Sequence, residues 1–382
     1  MTEWKTYTLK ELSKGRGEYG IGAPAVPFDK EKYTYLRITD INDDGTLNTS
    51  GMMSVDADDA EEYILEKNDI VFARTGNSTG RSYFYDGRDG ELVYAGFLIR
   101  FRLDETKVNP KILKYYTHSK PYYDWVKLFD TGGTRGNINA KTYGDMPIYL
   151  PPRHIQDRIA GILGAIDDKI ENNRRINTNL ELQAQALFDE IFFSDNDWEY
   201  TTLGMLTEEV KTKVKGMSAK VLSPISSGEL VLSEDYFTKQ VYSQDISKYI
   251  VVEPMSFAYN PARINIGSIG INSFDFVGCV SPVYVVFKTK SEYENFFRLF
   301  VKSDIFKDEV KSRAIGGVRQ TLSYHDFAMI TTKHPPIDSI RTFNTQYNTL
   351  LDIINHNNTE NRTLATLRDT LLPKLMNNEI KL

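Results

Sequence analysis

Residues 132–152 read GGTRGNINAKTYGDMPIYLPP, and 184 positions further on (316 less 132) residues 316–336 read GGVRQTLSYHDFAMITTKHPP. Both stretches open on Gly-Gly-x-Arg and close on Pro-Pro. The match does not stand alone. Trp4, Leu9 and Leu12 are echoed by Trp198, Leu203 and Leu206 at an offset of 194, so the first copy carries about ten extra residues. Between these anchors DIVFARTGNSTGRSYFY resembles MSFAYNPARINIGSIGI, and VYAGFLIRF resembles VSPVYVVF. Two tandem, diverged copies of one unit are the economical reading.

Within each copy the first part is strand-like. YTYLRI, DIVFA, LIRFR, KYIVV and VYVVF are short β-branched or aromatic runs broken by Gly, Asn and Asp. A helical piece follows, PKILKYYTHSKPYYDWVKLF in the first copy and YENFFRLFVKSDIFKDEVKSR in the second. After each Pro-Pro the chain becomes Gly-poor and helical, as a proline at a helix start allows. The expected fold class is α+β: two tandem mixed α/β domains, separated by two long helices that form an antiparallel coiled coil, with pseudo-two-fold symmetry.

The helices carry their own arithmetic. In the first, Ile159, Leu163, Ile166 and Ile170 alternate spacings of four and three, as do Leu180, Ala184, Leu187 and Ile191, with Asn173 and Asn177 between the two sets. The second repeats this as Phe343, Tyr347, Leu350 and Ile354, then Asn357 and Asn361, then Leu364, Arg368, Leu371 and Leu375. That is a heptad seam with a polar interruption at the same two places. The first helix leads from domain one to domain two and the second begins where domain two ends, so side-by-side helices must run antiparallel. Asn173 then faces Asn361 and Asn177 faces Asn357, and in each pair the residue numbers sum to 534. Such a layer fixes register at a cost in stability. Roughly 38 helical residues span about 57 Å, enough to hold two domains on a two-part duplex site whose halves lie about one turn, ~34 Å, apart.

Bulk properties narrow the function. The chain has 382 residues, a net charge of −6 and a single cysteine, Cys279. A disulfide framework is excluded, and the N-terminus lacks an apolar signal-peptide core. No segment approaches the roughly 18 apolar residues of a membrane span, so no membrane partner and a cytoplasmic location are expected. An acidic balance argues against nucleic-acid binding only if charge is evenly spread. It is not: residues 104–141 hold seven bases against four acids, and residues 302–319 hold five against three. Both excesses adjoin the repeated segment.

Signatures of chemistry are missing. No Asn-Pro-Pro-aromatic motif for amino-methyl transfer is present, and ARTGNSTGRS, residues 73–82, lacks the spacing of a phosphate-binding loop. Five histidines and one cysteine show no metal-ligand spacing, so neither a catalytic nor a metal site is expected. The Gly, Arg and Asn loops suit a different task, because backbone N–H groups hold phosphate, Arg pairs bidentately with guanine and Asn with adenine. The candidate DNA-binding residues are Arg74, Asn77, Arg81, Thr134, Arg135 and Asn137 in domain one, and Arg263, Asn265, Ser268, Arg319 and Gln320 in domain two. Gly132, Gly133, Gly316 and Gly317 suit turns with positive φ.

The run PPRHIQDRIAGILGAIDDKIENNRRINTNLELQAQALFDEIFF, the two Gly-Gly-x-Arg to Pro-Pro lead-ins and the ending LRDTLLPKLMNNEIKL together resemble the specificity subunits of type I restriction-modification enzymes. The likeness covers the full chain and departs at RHIQ, where an acidic residue commonly precedes the Gln. It implies target-recognition domains at 1–151 and 195–336, with conserved spacer helices at 152–194 and 337–382. It also implies a subunit without catalysis or cofactor of its own. Two methyltransferase subunits would dock on it and methylate adenine N6 with S-adenosylmethionine, and restriction subunits would add an ATP- and Mg-dependent nuclease. Each domain would read one half of a bipartite, asymmetric site in double-stranded DNA. Two other readings stay open at this point: a specificity subunit serving a partner with fused methyltransferase and nuclease, and a coiled-coil adaptor that does not bind DNA.

Overall fold

The computed structural model describes residues 4–49, 51–129, 136–194, 197–237, 242–313, 321–377, 379–380 and 382. The chain divides into two compact units, Met1–Asn173 with Asn358–Leu382, and Arg174–Asn357. The division falls at the asparagines of the long helices, so each unit holds one α+β domain together with half of each helix.

In the first unit, strand Lys5–Thr8 pairs antiparallel with Pro147–Leu150, placing Lys5 across from Leu150. The end of the repeated segment thus closes onto the start of its domain. A four-stranded sheet follows in the order Glu18–Tyr19, Leu98–Arg102, Asp69–Ala73, Ser82–Phe84. Its central strand DIVFA is buried at every position, which explains why its sequence is near-continuously apolar. Alternate side chains serve different cores, as strand geometry requires. Ile70, Phe72, Ile99 and Phe101 face the cluster that includes Ile112, Tyr122 and Tyr143. Val71, Ala73 and Leu98 face Leu36, Tyr83 and Tyr94. A second sheet, in the order Ala25–Val26, Met53–Val55, Tyr33–Leu36, Leu92–Tyr94, is antiparallel except for its last, parallel pair.

The second unit is built alike. Tyr200–Thr202 pairs with Thr331–Lys333, and the larger sheet runs Thr207–Val210, Val285–Thr289, Phe257–Tyr259, Ile269–Ile271. The other sheet runs Leu230–Leu232, Lys220–Pro224, Gly278–Val280, Ile250–Val252, again with one parallel pair. The difference is at the edge. Ile250–Val252 is a full strand on Gly278–Val280, whereas the corresponding contact in the first unit shrinks to the single bridge between Ile64 and Val93.

Each expected helical piece is in fact two helices, Pro110–Tyr116 with Lys120–Lys127, and Glu294–Phe300 with Asp304–Arg313. Buried Ser119 and Ser303, 184 apart, donate their hydroxyls to the carbonyls of Tyr116 (2.6 Å) and Phe300 (2.7 Å) at the break. Such local side-chain bonds compete with continuation of a helix.

The long helices are Arg153–Phe192 and Ile337–Met376, 40 residues each. Both start directly after Pro-Pro, and the carbonyls of Pro152 and Pro336 accept from Ile155 (2.9 Å) and Ile340 (3.1 Å). In the first unit Ile155, Ile159 and Leu163 pack with Leu372, Leu375 and Met376, and Asn173 Nδ2 donates to Asn361 Oδ1 at 2.9 Å. In the second, Asn357 Nδ2 donates to Asn177 Oδ1 at 2.8 Å. The helices are antiparallel within each unit. One detail departs from the heptad. Beyond Ala184 the fully buried residues are Phe188 and Phe192, while Leu187 and Ile191 are only partly buried. Steps of four follow a straight helix, whose period of 3.6 drifts off a strict seven-residue repeat. Phe188 and Phe192 pack on Phe296 and Phe343 with ring centroids 5.0–5.8 Å apart.

Arg368 sits at a seam position because it has a partner. Asp167 accepts from Lys114 Nζ (2.7 Å), Tyr115 Oη (3.0 Å) and Arg368 Nη1 (3.2 Å), joining the helix Pro110–Tyr116 to both long helices. The second unit lacks this device: the residues 184 away are Arg298, Leu351 and Ala184.

Candidate nucleic-acid interface

In the first unit the candidate residues gather at the hairpin that links Asp69–Ala73 to Ser82–Phe84. Its connection makes one short turn, Gly76–Ser78, with Gly76 at φ +75° and Asn77 exposed. Gly80 has φ +88°, and a Cβ there would lie 2.5 Å from Val126 Cγ1; only glycine fits both constraints. The exit of the repeated segment is fastened to this tip. Ile138, fully buried, donates its N–H to the Arg74 carbonyl at 2.9 Å, Thr75 bridges Asn137, and Thr79 Oγ1 donates to the Gly136 carbonyl at 3.0 Å. Arg74, Asn77 and Asn137 are therefore brought together, and both asparagines are exposed.

Arg81 is engaged elsewhere. Its guanidinium donates to Asp43 (2.6 Å) and to the Ile41 carbonyl (3.0 Å), fastening the loop of residues 41–44. Thr134 and Arg135 lie outside the described residues.

Sequence reasoning missed a neighbour. Tyr19, 43% exposed, lies under the Arg74 guanidinium with Cζ 4.9 Å from the ring centroid, and its hydroxyl accepts from the Ala140 N–H at 3.2 Å. Beside it runs a groove whose charged and aromatic lining is Lys10, Arg16, Glu18, Tyr19, Lys141 and Asp145. Lys10 is held by Asp145 at 2.5 Å. Basic side chains interleaved with an exposed aromatic suit nucleic acid, the cations for phosphate and the ring for stacking. No local pattern marks Tyr19, because a two-residue strand carries no periodicity.

The second unit repeats the fastening. Leu322, fully buried and 184 positions after Ile138, donates its N–H to the Pro261 carbonyl at 3.1 Å. The helix starts that follow also match: Asn139 accepts from Thr142 N (2.9 Å) and Ser323 from Asp326 N (3.2 Å). Arg263 and Asn265 are exposed at the tip, around the short turn Ile264–Ile266 that ends on Gly267 at φ +88°. Ser268 differs. It is 3% exposed and donates its hydroxyl to the Pro224 carbonyl at 2.8 Å, so it holds the loop and is not offered to a ligand. Arg319 and Gln320 lie outside the described residues.

The electrostatics of the two tips differ. Tyr19 lies across from Ile99, which lies across from Phe72; Glu209 lies across from Phe287, which lies across from Phe257. Glu209 lies two ladder steps from the place of Tyr19, because the hairpin pair Phe72 and Ser82 corresponds to Tyr259 and Ile269. It is paired with Lys211 at 2.7 Å, and Glu208 with Lys288 at 3.2 Å. Among the described residues no group of three or more His, Cys, Asp or Glu is placed to hold a metal ion, and no helix is long and apolar enough to cross a membrane.

Residues 1–182 match the family model of the type I restriction modification DNA specificity domain. Over those residues the chain is similar to the type I restriction specificity family. It is similar to the type I restriction enzyme HindI specificity subunit of Haemophilus influenzae, 25% identical over 50% of this chain and 41% of that one. It is also similar to the type I restriction enzyme MjaIX specificity subunit of Methanocaldococcus jannaschii, 26% identical over 70% of this chain and 68% of that one. The matched stretch therefore spans less than half of the HindI subunit. Among solved structures, the S subunit of a type I restriction-modification system from M. genitalium has the same fold, with a TM-score of 0.56, 17% identity and coverage of 98% of this chain and 96% of that one. Tandem α+β domains with long helices are thus a fold this chain shares with that S subunit.

Proposed function

We propose that the chain is the DNA-specificity subunit of a type I restriction-modification complex. Residues 1–151 and 195–336 each read one half of a bipartite, asymmetric duplex site. The spacer helices, 152–194 and 337–382, set the distance between halves and dock two methyltransferase subunits. The subunit contributes recognition and no catalysis: S-adenosylmethionine, ATP and Mg are bound by the methyltransferase and restriction subunits, and the complex works in the cytoplasm. The observation that carries this reading is the doubled fastening, in which Ile138 and Leu322 tie the same repeated segment to a hairpin tip presenting Arg and Asn. Two equivalent polar tips on one chain suit a two-part target.

The test is to express the chain with the methyltransferase encoded beside it and map methylated adenines. One bipartite motif with a fixed gap is expected. Methylation without a shared motif, or none that depends on this chain, overturns the reading. Arg135→Ala and Arg319→Ala should each weaken specific duplex binding by about 1–3 kcal/mol if they read bases, and binding equal to wild type for both removes them from the site.

A further inference from the structure

We infer that Tyr19 and Arg74 form a base-reading pair in the first recognition domain: the tyrosine ring positions the Arg74 guanidinium for bidentate pairing with a guanine, so that this half of the site carries a guanine at the base pair Arg74 meets. The inference rests on the proposed DNA-reading role and assigns one of its contacts.

Four observations converge on the pair. First, Arg74 is not spent on the protein. Arg81, Arg88 and Arg100 pair with Asp43 (2.6 Å), Asp168 (2.5 Å) and Glu18 (2.5 Å), whereas among the described residues no carboxylate pairs with Arg74. Its Nε is buried without a hydrogen-bond partner, which leaves the terminal nitrogens of a partly exposed side chain to take an external acceptor. Second, the guanidinium is oriented. It stacks on Tyr19 at 4.9 Å, and a planar fork held on a ring keeps the geometry that guanine O6 and N7 require.

Third, the support is rigid. The Arg74 N–H donates to the Phe97 carbonyl at 3.0 Å and its carbonyl accepts from Ile138 at 2.9 Å, while Tyr19 is fastened through its hydroxyl to Ala140. A reader built on sheet backbone surrenders little freedom on binding. Fourth, the device is confined to one domain. In the second unit Pro261, whose carbonyl accepts from the Leu322 N–H as that of Arg74 accepts from Ile138, stands in the place of Arg74 and carries no guanidinium. Two domains with the same framework thus present different chemistry, as an asymmetric target requires. Phosphate has other partners nearby, because Arg16 and Lys141 line the adjoining groove.

The experiment uses the full chain with its methyltransferase partner and a duplex library randomised over the recognised site. Arg74→Ala should flatten preference at one base pair in one half and weaken binding to the preferred duplex about 5- to 150-fold. Arg74→Lys should lose the same preference while keeping the salt dependence of binding, since charge remains and the fork does not. Tyr19→Ala should blunt the same base pair, and Tyr19→Phe, which keeps the ring, should restore it. Preference in the other half serves as the folding control for every variant; where an alanine variant loses both halves, Arg74→Lys and Tyr19→Phe decide. The pair is overturned if Arg74→Ala leaves every preference intact, or weakens all sequences equally with a shallower salt slope, the mark of a phosphate contact. A wild-type complex with no sequence preference would instead overturn the proposed function itself.

Discussion

Asn173 Nδ2 donates to Asn361 Oδ1 at 2.9 Å and to Glu360 at 2.7 Å, while Asn173 Oδ1 is buried without a partner. The layer is only partly satisfied, and a buried polar group that lacks its hydrogen bond costs stability. Asn173→Leu combined with Asn361→Leu should therefore raise the melting temperature, by about 1–3 kcal/mol of added stability, while allowing the helices to slip. Glu360 keeps its ion pair with Lys169 at 3.1 Å. Thermal denaturation with cross-linking across the seam checks both effects; an unchanged or lower melting temperature counts against the Asn layer as a register device.

The Asp167 carboxylate should matter far more than exposed ion pairs. Its side chain is 14% exposed and carries Lys114 and Arg368 together. Asp167→Asn leaves two cations facing each other and should cost about 3–5 kcal/mol in urea unfolding. Arg81→Ala removes a pair with Asp43, whose side chain is 87% exposed, and should cost less than about 1 kcal/mol. Equal losses would show that Asp167 does not brace the first unit.

His118 gives the first unit an acid sensitivity. Burial pushes its pKa down to about 4, with Asp44 partly opposing. Unfolded, the imidazole titrates near ~6.5, so the unfolded chain binds the extra proton between the two values and stability falls as pH drops through that window, by up to about 3 kcal/mol. Burial alone would raise the Asp167 pKa, but Lys114, Arg368 and Tyr115 hold it below the ordinary range. Its contribution is present above that range and is lost only at lower pH. His118→Gln should abolish the decline between pH 6.5 and 4 and leave the steeper acid loss. Denaturation midpoints against pH for both proteins test this; parallel curves through the upper window would refute it.

Ile138 and Leu322 should behave as matched clamps. Each is fully buried with its N–H on a hairpin carbonyl, and truncation to alanine should cost about 2–5 kcal/mol locally. Ile138→Ala should degrade recognition in one half-site and Leu322→Ala in the other. Methylation of half-site variants reads this directly, and loss of both halves from either substitution would argue against independent tips.

The sequence by itself determined the duplication, the α+β units, both long helices and the Asn173–Asn361 and Asn177–Asn357 pairings. Those features are periodic or follow from connectivity: a heptad and an offset of 184 are written in chain order, and antiparallel facing leaves one register. The tertiary structure decided the rest. Tyr19 meets Arg74 because two strands pair with a third that lies between them, Arg81 is drawn away to Asp43, and Ser268 turns inward to Pro224. Phe188 and Phe192 displace Leu187 and Ile191 from the buried stripe because an aromatic cluster from elsewhere in the chain meets the helix there. Which polar side chain remains free for a ligand depends on what sheet pairing and packing bring beside it, and residue type and spacing along the chain do not encode those neighbours.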